Sequence, residues 1–123
     1  MLVDIQQRKL YNVLIVGDSC LDVYHYGSCE RLSPEAPVPI LKHIKTKERS
    51  GMALNVRDNF SALNIDSSII TNKKQIKKER FLDVKSKNHL LRFDSGENKP
   101  LPSITEEQIQ DYEIDFFDAV VLV

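Results

Sequence analysis

At 123 residues, with 41% hydrophobic and 28% charged side chains and a net charge of −1, the chain has the size and balance of one soluble globular domain. No run approaches the roughly 18 apolar residues of a membrane span, and the opening MLVDIQQRKLYN lacks the apolar core of a secretory signal. Cys20 and Cys29 are the only cysteines, and without an export signal both are expected reduced, in the cytoplasm.

The first predicted element is NVLIVG, Asn12 to Gly17, a short continuous apolar run of the kind that forms a strand covered on both faces. It runs into Asp18 and Asp22 and then alternates. Asp22, Tyr24 and Tyr26 fall on one side, Val23 and His25 on the other. The three prolines of SPEAPVPILKHIKTKE confine its first part to an edge or an extended lead-in, after which Val38, Ile40 and Ile44 keep a period of two. From Gly51 to Leu63 the period changes. Met52, Val56, Phe60 and Leu63 recur at helical spacing and predict one buried helix face.

IDSSIIT, Ile65 to Thr71, reads as a second buried strand. Lys78–Val84 and His89–Asp94, joined by KSKN, read as a hairpin. A helix is predicted near Ile104–Tyr112, with Ser103 and Glu106 placed as a capping box, and FDAVVLV ends the chain as a third buried strand. A bare strand with no covering helix after it is expected to be covered by a partner, or to be part of something longer. The order predicts an α/β fold of two layers. Asn12–Gly17, Ile65–Thr71 and Ala119–Val123 form part of a parallel sheet with helices, and the four alternating strands form a separate small sheet arranged as a lid.

Charge is uneven. From Lys42 to Arg92 thirteen Lys and Arg stand against five Asp and Glu, and the rest holds four against thirteen. A basic middle attracts a phosphorylated small molecule or nucleic acid, or simply forms a solvated face. NKKQIKKER has no interleaved aromatics or recognised nucleic-acid module, so a charged sheet edge that deters aggregation explains it better and no nucleic acid is expected. Cys20, Asp22, His25 and Cys29 do not make a metal set, because alternation separates His25 from Asp22 and Cys29 has no near-spaced partner. His43 and His89 read as surface residues.

VLIVGDSCLDVYHYGSCERLSPEAPVPILKHIKTKERSGMALNVRDNFSALN resembles the N-terminal region of the ribokinase-like (PfkB) carbohydrate kinases. Within that family it is most similar to the branch acting on D-glycero-D-manno-heptose 7-phosphate in ADP-heptose synthesis. The features that carry the resemblance are the GD…LD strand end, RLSPEAPVPIL, and a glycine turn opening a helix with Ala53-Leu54-Asn55-Val56. LLRFD, Leu90 to Asp94, is a weaker match. The resemblance implies a partial ribokinase-like domain over 1–123, with core segments near 10–20, 50–72 and 103–123 and lid segments near 21–48 and 76–95. It departs from the family in three places. Asn72 to Lys78 jumps almost directly to the second lid hairpin, Met52 replaces the second of two glycines, and no Gly-Ala-Gly-Asp is present to supply the catalytic base and anion hole.

The resemblance implies that Asp22 lies at the hinge between core and lid and hydrogen-bonds sugar hydroxyls, as an ionised carboxylate does well. Asp18 is placed in the same crevice at the strand's carboxyl end, although aspartates at such positions also cap turns. Asn55 is placed on sugar hydroxyls and Gly51 at a close sugar approach, or at a plain helix start. Arg92 and Lys42 are candidates for a substrate phosphate. No catalytic residue is assigned. ATP and magnesium are cofactors of the intact family, with none expected in this chain alone. The chain is therefore expected to bind a sugar or sugar phosphate, to pair as a homodimer through the lid, to lie off the membrane and to be inactive by itself. A non-catalytic sugar-phosphate-binding module and a lid-mediated interaction module are the alternatives.

Overall fold

The computed structural model describes residues 10–97 and 104–123. Its elements in chain order are β1 (Asn12–Val16), β2 (Ser19–Leu32), β3 (Pro39–Met52), α1 (Ala53–Ala62), β4 (Asp66–Ile70), β5 (Ile76–Asp83), β6 (His89–Ser95), α2 (Glu106–Gln110), a single 3-10 turn (Ile114–Phe116) and β7 (Ala119–Leu122). They build two sheets. One is parallel in the order β4-β1-β7, and the other is mixed in the order β3-β2-β5-β6.

β1 is central in the parallel sheet, which explains its unbroken apolar run: Val13, Leu14 and Ile15 are all buried. Val13 and Ile15 face α1 and pack with Ala53, Val56, Phe60, Ile65, Ile69 and Val121. The expected helix face is corrected at both ends. Met52 is the N-cap at φ 55 and is exposed, and Leu63 lies past the helix end and is exposed as well. The buried stripe is instead Ala53–Val56–Phe60, because the helix begins only at Ala53, whose N–H donates to the Asp18 carbonyl at 3.0 Å.

A second correction concerns α2. Ser103 lies outside the described residues, and the observed capping box is formed by Thr105 and Gln108. The Gln108 side chain also donates to the Thr71 carbonyl at 3.3 Å and ties α2 to the end of β4. Thr105 competes well as a cap because its hydroxyl and the Gln108 amide satisfy each other's orphan backbone donors.

The chain leaves one sheet for the other at Gly17-Asp18, between β1 and β2. In the mixed sheet β2 pairs antiparallel with β3 and parallel with β5, and β5 pairs antiparallel with β6. The prolines fall where a strand edge tolerates them: Pro39 opens β3, which is an edge strand. KSKN closes the β5–β6 hairpin as expected, and the Asp83 carboxylate accepts from Ser86 N at 2.8 Å and Cys29 N at 3.1 Å. Those donors, the Ser86 side chain first among them, hold the Asp83 carboxyl below its ordinary range.

The His25 face carries a hydrogen-bonded chain across three strands. His25 Nε2 lies 2.9 Å from Glu79 Oε1, His25 Nδ1 3.1 Å from Thr46 Oγ1, and His43 Nε2 2.8 Å from the same hydroxyl. An ionised carboxylate only accepts, so His25 Nε2 carries the proton. In the tautomer with Nδ1 unprotonated, that nitrogen accepts from the Thr46 hydroxyl, which in turn accepts from His43. The His25 bond is the main reason the Glu79 carboxyl sits below its ordinary value. Thr46→Val removes both hydroxyl bonds without changing shape, and a loss of about 1 kcal/mol is expected for these partly exposed contacts. Urea unfolding measures it, and an unchanged midpoint would show that the relay contributes nothing.

Candidate functional site

Asp22 lies four residues into β2, on the face shared with Tyr24 and opposite His25, as alternation requires. Two strands shape its surroundings. On one side Cys20 pairs with Gly51 of β3, and Gly51 is buried against Cys20 Sγ and Asp22. A Cβ on Gly51 would meet Asp22 Oδ2 at 2.5 Å, so the missing side chain is what leaves room for the carboxylate. On the other side Arg80 of β5 places Nη1 2.6 Å from Asp22 Oδ1, with both side chains about one-fifth exposed. The Asp22 hydrogen bond is the largest reason the Arg80 guanidinium is held above its ordinary range. Arg80 also lies over the Tyr24 ring at 5.1 Å, with Arg49 over the same ring at 5.6 Å.

Arg80 is the residue that sequence reasoning missed. It is 58 positions from Asp22, and only the parallel register of β2 on β5, with Tyr24 opposite Arg80, brings the two together. The hairpin register continues the row. Arg80 faces Arg92, and Lys78 faces Asp94. Arg92 grips Asp94 with two bonds of 2.8 and 2.7 Å, which raises the guanidinium and lowers the carboxyl from their ordinary values. The Asp22 face of the mixed sheet is thus a grid of Arg49, Lys47, Lys45, Lys78, Arg80 and Arg92 set around two carboxylates and two tyrosines.

The other sequence candidates separate. Gly51 joins Asp22 directly. Asn55 is exposed in the first turn of α1, three residues past Met52, whose sulfur lies 3.9 Å from Lys78 Nζ. Asp18 is half-buried, and its recorded contact is through its carbonyl, which accepts from Ala53 N. It does not line the crevice at the strand ends. That crevice, about 240 Å³, is lined by Ser19, Cys20, Leu54, Thr71, Asn72 and Gln75 among others, and in its wall the Asn72 side chain accepts from Ser19 N at 2.7 Å. Lys42 is exposed and pairs with Ser28, well along β3 from Gly51, so the structure does not bring it beside Asp22. Among the described residues no three His, Cys, Asp or Glu side chains converge as metal ligands.

The Asp22 carboxylate therefore has one oxygen spoken for and a second presented over a glycine, inside a cationic surround. Such an arrangement accepts hydrogen bonds from hydroxyl groups and tolerates an anionic group on the same ligand. It sits at the bend between an α/β core and a second sheet.

Comparison with known sequences finds similarity over about half of the chain. No family model matches the chain. The chain is 49% identical over 59 residues to the bifunctional protein HldE of Proteus mirabilis, covering 48% of this chain and 12% of that protein. It is 46% identical over 70 residues to HldE of Sodalis glossinidius, covering 57% and 15%. The match thus spans about an eighth to a seventh of the length of these relatives. Among solved structures, phosphofructokinase-2 from Escherichia coli aligns with 92% of this chain and 44% of its own at a TM-score of 0.49 and 10% identity. Ribokinase from Thermotoga maritima aligns with 70% and 36% at 0.43 and 12%.

Proposed function

We propose that this chain is the sugar-facing part of a sugar kinase similar to heptose-7-phosphate kinase, with the parallel sheet as core and the mixed sheet as lid. The observation that carries this reading is the Asp22 carboxylate, held by Arg80 and seated over Gly51 at the bend between the sheets. Asp22 Oδ2 accepts from sugar hydroxyls, and the exposed Asn55 amide both donates and accepts from the helix start. Arg92 reaches a substrate phosphate only by sharing or releasing Asp94. In the intact family ATP supplies the phosphoryl group with magnesium. The sequence contains no Gly-Ala-Gly-Asp, the motif to which the resemblance assigns the catalytic base and anion hole. Phosphoryl transfer rests on positioning and charge stabilisation of the nucleotide, so the chain binds without turning over.

Thermal unfolding with millimolar D-glycero-D-manno-heptose 7-phosphate tests this, since a ligand of the folded form raises the midpoint as its concentration passes its dissociation constant. The sugar phosphate is expected to raise the midpoint and ATP alone to leave it unchanged, with no ADP released when both are present. No shift with the sugar phosphate would overturn the binding reading, and ADP release above background would overturn the inactivity.

A specific observation supports a second reading, self-association through the lid. On the sheet face opposite Asp22, Val38, Pro39, Leu41, Phe81, Leu90 and Leu91 line an apolar groove of about 310 Å³. Leu91 and Phe93 beside it are more than half exposed. Large exposed apolar patches mark interaction surfaces, and the proposed occupant is a second copy of the lid. Sedimentation equilibrium should give a dimer that Leu91→Asp converts to monomer. A wild-type monomer at micromolar concentration would rule this out.

A further inference from the structure

Arg80 does more than neutralise a neighbour. It is anchored at three points: by the 2.6 Å bond to Asp22 Oδ1, by the Tyr24 ring beneath it, and by the backbone register that fixes its Cα opposite Tyr24. A guanidinium carries five N–H donors in a rigid fork. The bond to Asp22 uses one of them, and the charge is shared with a single carboxylate in a neighbourhood of like charges: Arg92 opposite it, Lys78 in the adjacent row and Arg49 across Tyr24. Asp94, the second carboxylate on that face, is gripped by Arg92.

We propose that Arg80 is a positioning and specificity-determining residue of the Asp22 site: it fixes the carboxylate so that Oδ2 alone faces the ligand, and it presents its remaining donors to an anionic group on the same ligand. This rests on the reading of Asp22 as a hydroxyl acceptor and adds how one ligand class is chosen over another. The pair then works as a two-part gauge. Hydroxyl donors meet Oδ2, an anion meets the fork, and a neutral polyol satisfies only the first half. A bound anion also offsets the cationic surround, which a neutral sugar leaves uncompensated. Preference for the charged ligand is thus set by a residue that strand register supplies, and a lysine in its place keeps the charge but not the fork.

The test is calorimetric titration of wild type, Arg80→Met and Arg80→Lys with D-glycero-D-manno-heptose 7-phosphate and with the unphosphorylated heptose, after circular dichroism has confirmed folding. The expected result is a preference of the wild type for the phosphorylated sugar that falls at least tenfold in Arg80→Met and partway in Arg80→Lys. A merely structural role would weaken both ligands equally and leave the ratio where it was. Binding with an unchanged ratio in a folded variant overturns the proposal alone. Absence of binding by the wild type to either sugar removes the Asp22 reading and this proposal with it. If Arg80→Met does not fold, the Arg80→Lys ratio decides, and a ratio equal to that of the wild type counts against the fork.

Discussion

Asp22→Asn is expected to abolish the rise in unfolding temperature that D-glycero-D-manno-heptose 7-phosphate gives the wild-type chain. The substitution keeps the shape of the side chain and removes its charge. Hydrogen bonds to a charged group contribute about 1.5–3 kcal/mol, so the loss amounts to roughly ten- to a hundredfold in affinity. The amide also turns one acceptor into a donor, and either orientation is unfavourable. If its oxygen still faces Arg80 Nη1, its NH₂ points over Gly51 toward the hydroxyl donors of the sugar. If it flips, its NH₂ opposes the guanidinium. Stability should fall as well, by about 1–3 kcal/mol, because Arg80 is only about one-fifth exposed and is left without its carboxylate. Titration calorimetry and urea unfolding separate the two effects. Unchanged affinity with reduced stability would leave Asp22 a structural ion-pair partner and nothing more.

The part of the fold legible in the sequence is the part where one local rule dominates. NVLIVG announces a strand covered on both faces because β1 is the middle of the parallel sheet, with Val13 and Ile15 on α1 and Leu14 fully buried on the other side. Alternation from Asp22 to Tyr26 gave the faces of β2 correctly, since a period of two leaves no choice once one residue is placed. Helix periodicity was less reliable at its ends. Met52 fits the apolar spacing, yet it occupies the left-handed N-cap and is exposed. Thr105 and Ser103 are equally good caps by composition, and the cap observed is Thr105, in a box with Gln108, whose side chain also reaches the Thr71 carbonyl.

The site was legible only in halves. Asp22 and Gly51 could be named because each sits in a motif whose spacing is local. Their meeting depends on the antiparallel pairing of β2 with β3, in which Cys20 faces Gly51. Arg80 could not be named, since nothing in IKKER marks one cation among three until β5 is laid parallel to β2. The same reasoning accounts for Asp18, whose position beside Gly17 pointed to the crevice while the bend directs its carbonyl to the helix start. It accounts also for the relay of Glu79, His25, Thr46 and His43, whose members come from three strands and share no sequence pattern. Long-range register carries this information, and single-sequence periodicity does not contain it.

Gly51→Ala tests that register where it matters most. The added methyl would lie 2.5 Å from Asp22 Oδ2 and against Cys20 Sγ, where β2 pairs with β3. Neither neighbour is the far end of a flexible chain. Asp22 has one rotatable bond before its carboxylate and is tied to Arg80, and Cys20 is buried, with its thiol held above its ordinary pKa first by desolvation and then by the Asp22 charge. Overpacking of this kind costs about 1–3 kcal/mol, and the cheapest relief is for Asp22 to turn away and release Arg80. Gly51→Ala is therefore expected to lose the sugar-phosphate response even where the fold survives. Cys20→Ala should restore part of the stability by clearing one of the two contacts, yet restore little of the binding, because the clash with Oδ2 remains. A double-mutant cycle in urea, run beside the calorimetry, reads both. Full recovery of binding in the double variant would mean that Gly51 serves Cys20 packing and not the placement of the carboxylate.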